Sequence, residues 1–303
     1  MMDYGFEDNR FYVEYRGCTC APTNLRRESD LEAQRLYAIN NKLILCLSSG
    51  LDSQTALHSF KSQGIPIDCY FMHLKGFNDS EFENLKTIER KYSFKTNIIE
   101  IDPEKNRDEC LHLANAHDTN PHHALHYLFV NQMPKEHDII QVHTPWFVTK
   151  KSSGKHYLYH SFYDPEISRI QVLSKIQRTG NIKSFGSTGE YFASVISDEV
   201  IDYFLKSWQF YNDPTITRRG EPLHDVFRYE FYVKPLLYAK YWGDELFYFP
   251  KFAGFENIPW LANLNNETKR EHMVFVEKDV LLNFLLTSTD TKKFYESTWN
   301  NLN

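Results

Sequence analysis

The 303-residue chain has little of what marks the specialised sequence classes. It holds only 12 glycines and 12 prolines, which excludes collagen-like, linker-like and low-complexity readings. Its five cysteines (Cys18, Cys20, Cys46, Cys69 and Cys110) form no CxxC pair. An odd, sparse set of this kind points to a reducing compartment rather than a disulfide scaffold. The acidic start, Met-Met-Asp-Tyr-Gly-Phe-Glu-Asp, lacks an apolar signal core, and no run approaches the roughly 18 apolar residues of a membrane span. A cytoplasmic protein without membrane contact is the expectation. Basic excess is missing too: 34 Lys+Arg stand against 40 Asp+Glu, a net charge of -6. A nucleic-acid partner is therefore not expected, although a local basic patch stays open. What the chain has in quantity is aromatic: 23 Phe, 19 Tyr and 5 Trp, large planar groups for core area.

The clearest pattern begins at Leu43-Ile44-Leu45-Cys46-Leu47, a short, wholly apolar run. Such a run suits a parallel strand covered on both faces. A helix is expected over 53–63, a strand over 67–74, a helix over 79–92 capped by Asp79 or Ser80, and a strand over 96–101. A helix over 121–133 and a strand over 138–143 follow. This order implies a parallel sheet built through helical crossovers. Before it, residues 10–20 read as a strand ending near Gly17, and 23–40 as a helix capped by Thr23 or Asn24. After it, 150–155 read as a basic loop, and 166–178, 188–210 and 268–286 as helices; 224–262 stay unassigned. The organisation expected is an N-terminal strand/helix segment (1–40), an ATP-binding α/β domain (41–160) and a mainly helical, substrate-specifying region (161–303).

The turn Ser48-Ser49-Gly50-Leu51-Asp52-Ser53 sits between the apolar strand and a helix N-terminus. Backbone N–H groups converge there with the helix dipole and make an anion site. Gly50 allows positive φ or close ligand approach. Ser48 and Ser53 add hydroxyls. Asp52 is placed to cap the helix, to orient the loop, or to hold Mg²⁺ together with phosphate oxygens. The carboxyl end of a parallel strand is where open α/β sheets bind ligands.

This turn resembles the pyrophosphate-binding loop of the N-type ATP pyrophosphatases (the PP-loop superfamily), whose motif is Ser-Gly-Gly-x-Asp-Ser; Ser49 replaces the first glycine. The likeness spans about residues 41–150, and with Leu51 it looks most like asparagine synthetases, as does Asp79-Ser80-Glu81 before the next helix. The resemblance implies a Rossmann-like (HUP-type) α/β fold with helices on both faces of a parallel sheet. It implies ATP and Mg²⁺, with Ser48, Ser49, Gly50, Leu51, Asp52 and Ser53 around pyrophosphate, Asp52 toward the metal, and Met72 and its neighbours around adenine through backbone atoms. The reaction implied is AMP- and pyrophosphate-forming: a carboxylate or carbonyl oxygen of a small-molecule substrate is adenylated, then attacked by ammonia or an amine.

The sequence also departs from that family. No cysteine follows Met1, and the 40 residues before the apolar run are too few for a glutaminase domain, so free ammonia, an amine or a donating partner is expected. No cysteine lies beyond Cys110, against the thiolase and zinc-bearing branches. Where asparagine synthetases carry Gly-x-Asp-Glu, this chain reads Gln141-Val142-His143-Thr144-Pro145-Trp146. Two other readings therefore stay open: a nucleotide-binding module without turnover, and a nucleobase-modifying or sulfur-metabolism PP-loop enzyme.

His143, at a strand end, is the second candidate catalytic residue beside Asp52. His117, Thr144 and Lys151 are candidate substrate contacts. Lys234 and Lys251 are further cations in the region where asparagine synthetases keep phosphate-contacting residues. His122 and His126 share a helix face but lack the glutamate of a zinc motif. Cys18 and Cys20 are read as a free thiol pair on one strand face. Gly186-Ser187-Thr188-Gly189-Glu190 is either a second anion turn or, the preferred reading, a helix start capped by Thr188.

Overall fold

A computed structural model describes residues 2–8, 10–116, 121–142, 146–150, 155–161, 178–206, 217–218, 221–222, 233–249, 258–264 and 273–297. The chain opens with an antiparallel hairpin, β1 (Met2–Glu7) and β2 (Arg10–Arg16). Helix α1 (Leu25–Ile39) follows, capped by Asn24, whose side chain accepts the Arg27 N–H at 3.0 Å. The apolar run becomes β3 (Leu43–Cys46). Then come α2 (Leu51–Ser62), β4 (Asp68–Leu74), α3 (Asp79–Tyr92), β5 (Thr96–Ile101), α4 (Arg107–Ala116), α5 (Pro121–Asn131) and β6 (Asp138–Val142). A second hairpin, β7 (Trp146–Lys150) and β8 (Lys155–Ser161), precedes β9 (Ile182–Phe185), α6 (Gly189–Ile196) and α7 (Glu199–Lys206). The remaining elements are β10 (Thr217–Arg218), β11 (Glu221–Pro222), α8 (Lys234–Trp242), α9 (Pro259–Leu264), β12 (Met273–Glu277), α10 (Lys278–Thr287) and β13 (Thr291–Tyr295).

Five strands form a parallel sheet in the order β5-β4-β3-β6-β9. Its two faces are separate cores, because side chains alternate along each strand. Leu43, Leu45 and Leu47 pack with Ala56, Leu57 and Phe60 of α2. Ile44 and Ile139 pack with Leu125, Leu128 and Val130 of α5. Full burial of one such side chain contributes about 1.5–3 kcal/mol, so the continuous apolar run is what holds β3 at the centre. From β3 the chain builds outward to β4 and β5, then crosses back to lay β6 and β9 on the other side. The order reverses between β3 and β6, and the turn at 47–50 leaves β3 at that point.

Several elements differ from expectation. The parallel sheet gains its fifth strand, β9, beyond residue 160, where the ATP-binding unit was expected to end. The helix expected over 268–286 divides into β12 and α10. Val274 and Val276 alternate into the core and β12 pairs with β8, so period two prevails over period 3.6. The helix expected over 188–210 breaks at Ser197 and Asp198. There Asp198 accepts the Val200 N–H at 2.8 Å and holds Lys240 and Tyr241 of α8. The expected basic loop has strand ends on both sides, and Lys155 pairs with Glu277 of β12 at 2.8 Å. Past residue 161 the described helices are thus interleaved with strands of several sheets: β13, for one, closes on β2. The helix expected over 166–178 lies outside the described residues apart from its last position, Arg178. None of the described helices is long and apolar enough to cross a membrane.

Candidate nucleotide-binding site

The turn after β3 is organised by its own hydroxyls. Ser48 N–H donates to Ser53 Oγ at 3.1 Å, and Gly50 N–H to Ser48 Oγ at 3.2 Å. Ser53 Oγ is 2.7 Å from the Ser48 carbonyl and 3.0 Å from that of Gly50. Gly50 is the helix N-cap, with φ -72 and no side-chain cap. It therefore needs no left-handed conformation, and close approach is the glycine property that remains in play. Ser49 is likewise outside the positive-φ residues, so serine fits the first motif position without strain. Its hydroxyl donates to Glu81 Oε1 at 3.4 Å, turning toward α3.

Gln54 locks this turn from below. Its side chain is fully buried. Nε2 donates to the Ser49 carbonyl and the Phe247 carbonyl, both at 2.8 Å, and Oε1 accepts the Phe247 N–H at 2.8 Å. The segment 243–249 is itself clamped. Arg26 pairs with Glu245 at 2.8 Å, His58 contacts the same carboxylate, and Tyr92 donates to the Glu245 carbonyl at 2.9 Å.

Asp52 does not cap α2. Lys234 contacts its Oδ2 and the Tyr238 hydroxyl its Oδ1. Lys234 and Tyr238 are four residues apart on α8 and so share a helix face. The Lys234 side chain is only 5% exposed and that of Asp52 23%, so the pair is largely shielded from screening. Tyr191 lies fully buried near this pair; burial first, and then the Asp52 charge, push its hydroxyl pKa up, so it stays protonated. The Asp52–Lys234 pair is the contact that sequence reasoning left unmade. Lys234 was in view as a cation, but Tyr238 was not. The signal available was their i,i+4 spacing.

The adenine expectation at Met72 falls where β4 outlasts β3. Leu47 N–H donates to the Tyr70 carbonyl at 2.9 Å, so Tyr70 faces β3. Two residues on, Met72 faces the same way, past the end of β3. Its carbonyl accepts Asn78 Nδ2 at 2.9 Å, while Asn78 Oδ1 takes the Leu74 N–H at 2.7 Å. Asn78, not Asp79 or Ser80, is the residue preceding α3. Met72 and the loop thus lie at the same, carboxyl, end of the neighbouring strands β4 and β3.

Of the other candidates, His143, His117, Thr144, Lys151 and Lys251 lie outside the described residues. The chain leaves β6, the neighbour of β3, at the same sheet end as the loop. Cys18 and Cys20 come after the end of β2 and do not share a strand face. Cys18 is buried, its thiol pushed up to about 11 by burial, and Cys20 is exposed. In the 186–190 turn, Thr188 caps α6 by accepting the Tyr191 N–H at 3.3 Å. The Gly186 and Ser187 amides donate to Glu32 of α1, both at 3.2 Å.

The donor set fits the phosphates of a nucleotide. The first-turn amides of a helix have no intrahelical partner, hydroxyls flank them, and a cation stands close by. The fit to Mg²⁺ is narrower. Each Asp52 oxygen already accepts one donor, from Lys234 or Tyr238, which leaves a metal at most one further lone pair on each, and no cluster of three His, Cys, Asp or Glu suited to a metal occurs among the described residues. No protein-family model matches the chain, and no curated protein matches it either.

Proposed function

We propose that this chain is an ATP-dependent, AMP- and pyrophosphate-forming enzyme of the HUP-type α/β class, activating a carboxylate or carbonyl oxygen for attack by ammonia or an amine. The observation that carries the reading is the convergence of the 48–53 turn, at the switch point of the parallel sheet, with Lys234 of α8 on Asp52. In this reading the α2 amides and Ser48 take the pyrophosphate end of ATP, and Met72 reads adenine by its main chain. The substrate oxygen attacks the α phosphorus as the bond to the bridging oxygen breaks, and pyrophosphate leaves with that electron pair. Loop amides and the Lys234 ammonium stabilise the departing charge. The nitrogen nucleophile then displaces AMP from the acyl carbon and loses a proton. Mg²⁺, bound with the phosphates near Asp52, would neutralise charge on them.

A specific observation favours one second reading. Both Asp52 oxygens are engaged by α8, an arrangement that also suits a nucleotide-binding module without turnover. Incubation with ATP, Mg²⁺, ammonium and a mixture of small carboxylates separates the two. AMP and pyrophosphate released in equal amounts support the enzyme. Binding without either product supports the module, and ADP with phosphate contradicts the proposed cleavage.

A further inference from the structure

Away from the 48–53 turn, a cleft of about 340 Å³ opens between the end of β2, the N-terminal half of α1 and the start of α6. Its size is at the small-molecule end of the range for ligand sites. Close backbone approach builds it. A Cβ on Gly189 would stand 2.5 Å from the Arg16 carbonyl and 3.2 Å from Cys18 N, so only glycine lets α6 begin against the end of β2.

The charged groups around the cleft divide into engaged and available ones. Glu28 accepts the Thr23 N–H and hydroxyl, both at 2.6 Å. Glu32 is fully buried and bound twice by Arg35, at 2.7 Å each. These three charges hold the wall. Glu190 is anchored rather than neutralised. Its Oε1 accepts the Thr19 hydroxyl at 2.9 Å and the N–H groups of Thr19 and Cys20, and no cation pairs with it among the described residues. Arg16 is exposed at the cleft and makes no ion pair or side-chain hydrogen bond among the described residues. The cleft therefore presents the Glu190 carboxylate, which has no ion pair within contact distance among the described residues although the Arg35 charge is felt nearby, and the Arg16 guanidinium, with Glu28 buried behind its Thr23 bonds and Leu31 as an apolar lining residue.

We propose that this cleft binds a small zwitterion, a molecule with a carboxylate and an ammonium group such as an α-amino acid, with Arg16 taking the carboxylate and Glu190 the ammonium. Guanidinium–carboxylate pairing is the strong, directional contact in such a site. The assignment is independent of the nucleotide reading, since no residue of 48–53 lines the cleft.

Cys20 provides the test. It lines the cleft and is the exposed thiol of the five, whereas Cys18, Cys69 and Cys110 are buried. The full-length protein is treated with iodoacetamide, and Cys20 alkylation is followed by peptide mass spectrometry. The probes are the twenty α-amino acids, with acetate and methylamine as controls, each at about 10 mM. At least one amino acid is expected to slow Cys20 alkylation about tenfold and to raise the melting temperature, as occupancy by a bound ligand requires. Acetate and methylamine should do neither. Arg16→Ala should abolish protection and Glu190→Gln should weaken it, each scored against the variant's own ligand-free alkylation rate, because both side chains share the cleft with the Cys20 thiol, and with an unchanged cooperative thermal melt as the check on folding. Three outcomes would overturn the proposal: no amino acid protects, acetate protects equally, or protection survives in Arg16→Ala.

Discussion

Two turns of this molecule share a topology and differ in chemistry. Both leave a parallel strand of one sheet at its carboxyl end and open a helix: 47–50 between β3 and α2, and 186–188 between β9 and α6. At the second, an internal carboxylate already sits on the amides, because Glu32 accepts from Gly186 and Ser187 and from the Ser187 hydroxyl at 3.4 Å. At the first, the turn amides of Ser48 and Gly50 meet neutral serine hydroxyls; Glu81 takes only the Ser49 hydroxyl, at 3.4 Å, and the Asp52 carboxylate is held by Lys234 and Tyr238. A strand-to-helix turn is thus an anion site in general, and what decides its use is where the closest internal carboxylate is held. The 186–188 turn is filled from within, which is why its role is structural. Tyr191, whose raised pKa reflects burial first and then the charges of both Asp52 and Glu32, lies within reach of the two arrangements.

The largest test of this contrast is to break the Asp52–Lys234 pair. Asp52→Ala leaves a buried ammonium without its carboxylate and should cost about 3 kcal/mol in urea unfolding, and abolish nucleotide binding. Lys234→Met should cost about as much. The double variant should recover at least about 1 kcal/mol relative to the sum, the signature of a direct pair in a double-mutant cycle. Next is Glu32→Gln. It weakens charge-assisted bonds at the second turn and should destabilise by about 2 kcal/mol, while nucleotide affinity stays within about threefold. A loss of nucleotide binding here would erase the distinction between the turns. Gln54→Ala leaves the Ser49 and Phe247 backbone groups without their buried partner. It should cost about 1–3 kcal/mol, with a parallel loss of nucleotide affinity measured by calorimetry. Ser49→Gly should be the mildest substitution, changing affinity less than about threefold and stability by less than about 1 kcal/mol.

A pH effect separates the clamp on 243–249 from the turn itself. Burial lowers the pKa of His58 below its ordinary value, with Glu245 and Asp30 opposing the shift and Arg26 reinforcing it. His58 Nδ1 is buried and meets no acceptor among the described residues, which gives the lowering a local cause. A base whose folded pKa is depressed binds its proton more readily when unfolded. Its stabilising effect is therefore complete above the unfolded value of 6.5 and is lost as pH falls from there through the folded value. Thermal melts from about pH 7.5 to 5.5 should show falling stability in the wild type and a flatter profile in His58→Gln.

Much of the parallel sheet was legible in the sequence because its signals are local. The run 43–47, the helix over 79–92 and the strand over 96–101 carry their periodicity and stops within a few residues, and α3 and β5 match them end to end. The turn at 48–53 was legible for the same reason. What escaped depends on distant partners. β12 is a strand because β8 accepts it, and β2 finds partners at the two ends of the described chain, β1 and β13. Asp52 read as a cap or metal ligand because its neighbour in space, Lys234, is 182 positions away. Glu32 gave no hint that it would fill the amides of Gly186 and Ser187.

The most direct test of the central claim is a calorimetric titration of α,β-methylene-ATP with Mg²⁺ into the wild type, Ser48→Ala/Asp52→Ala and Glu32→Gln. The account predicts one binding event in the wild type, weakened at least about 30-fold by the 48–52 double variant and kept by Glu32→Gln. Absence of wild-type binding at about millimolar nucleotide, or binding that the 48–52 substitutions leave unchanged, would contradict it.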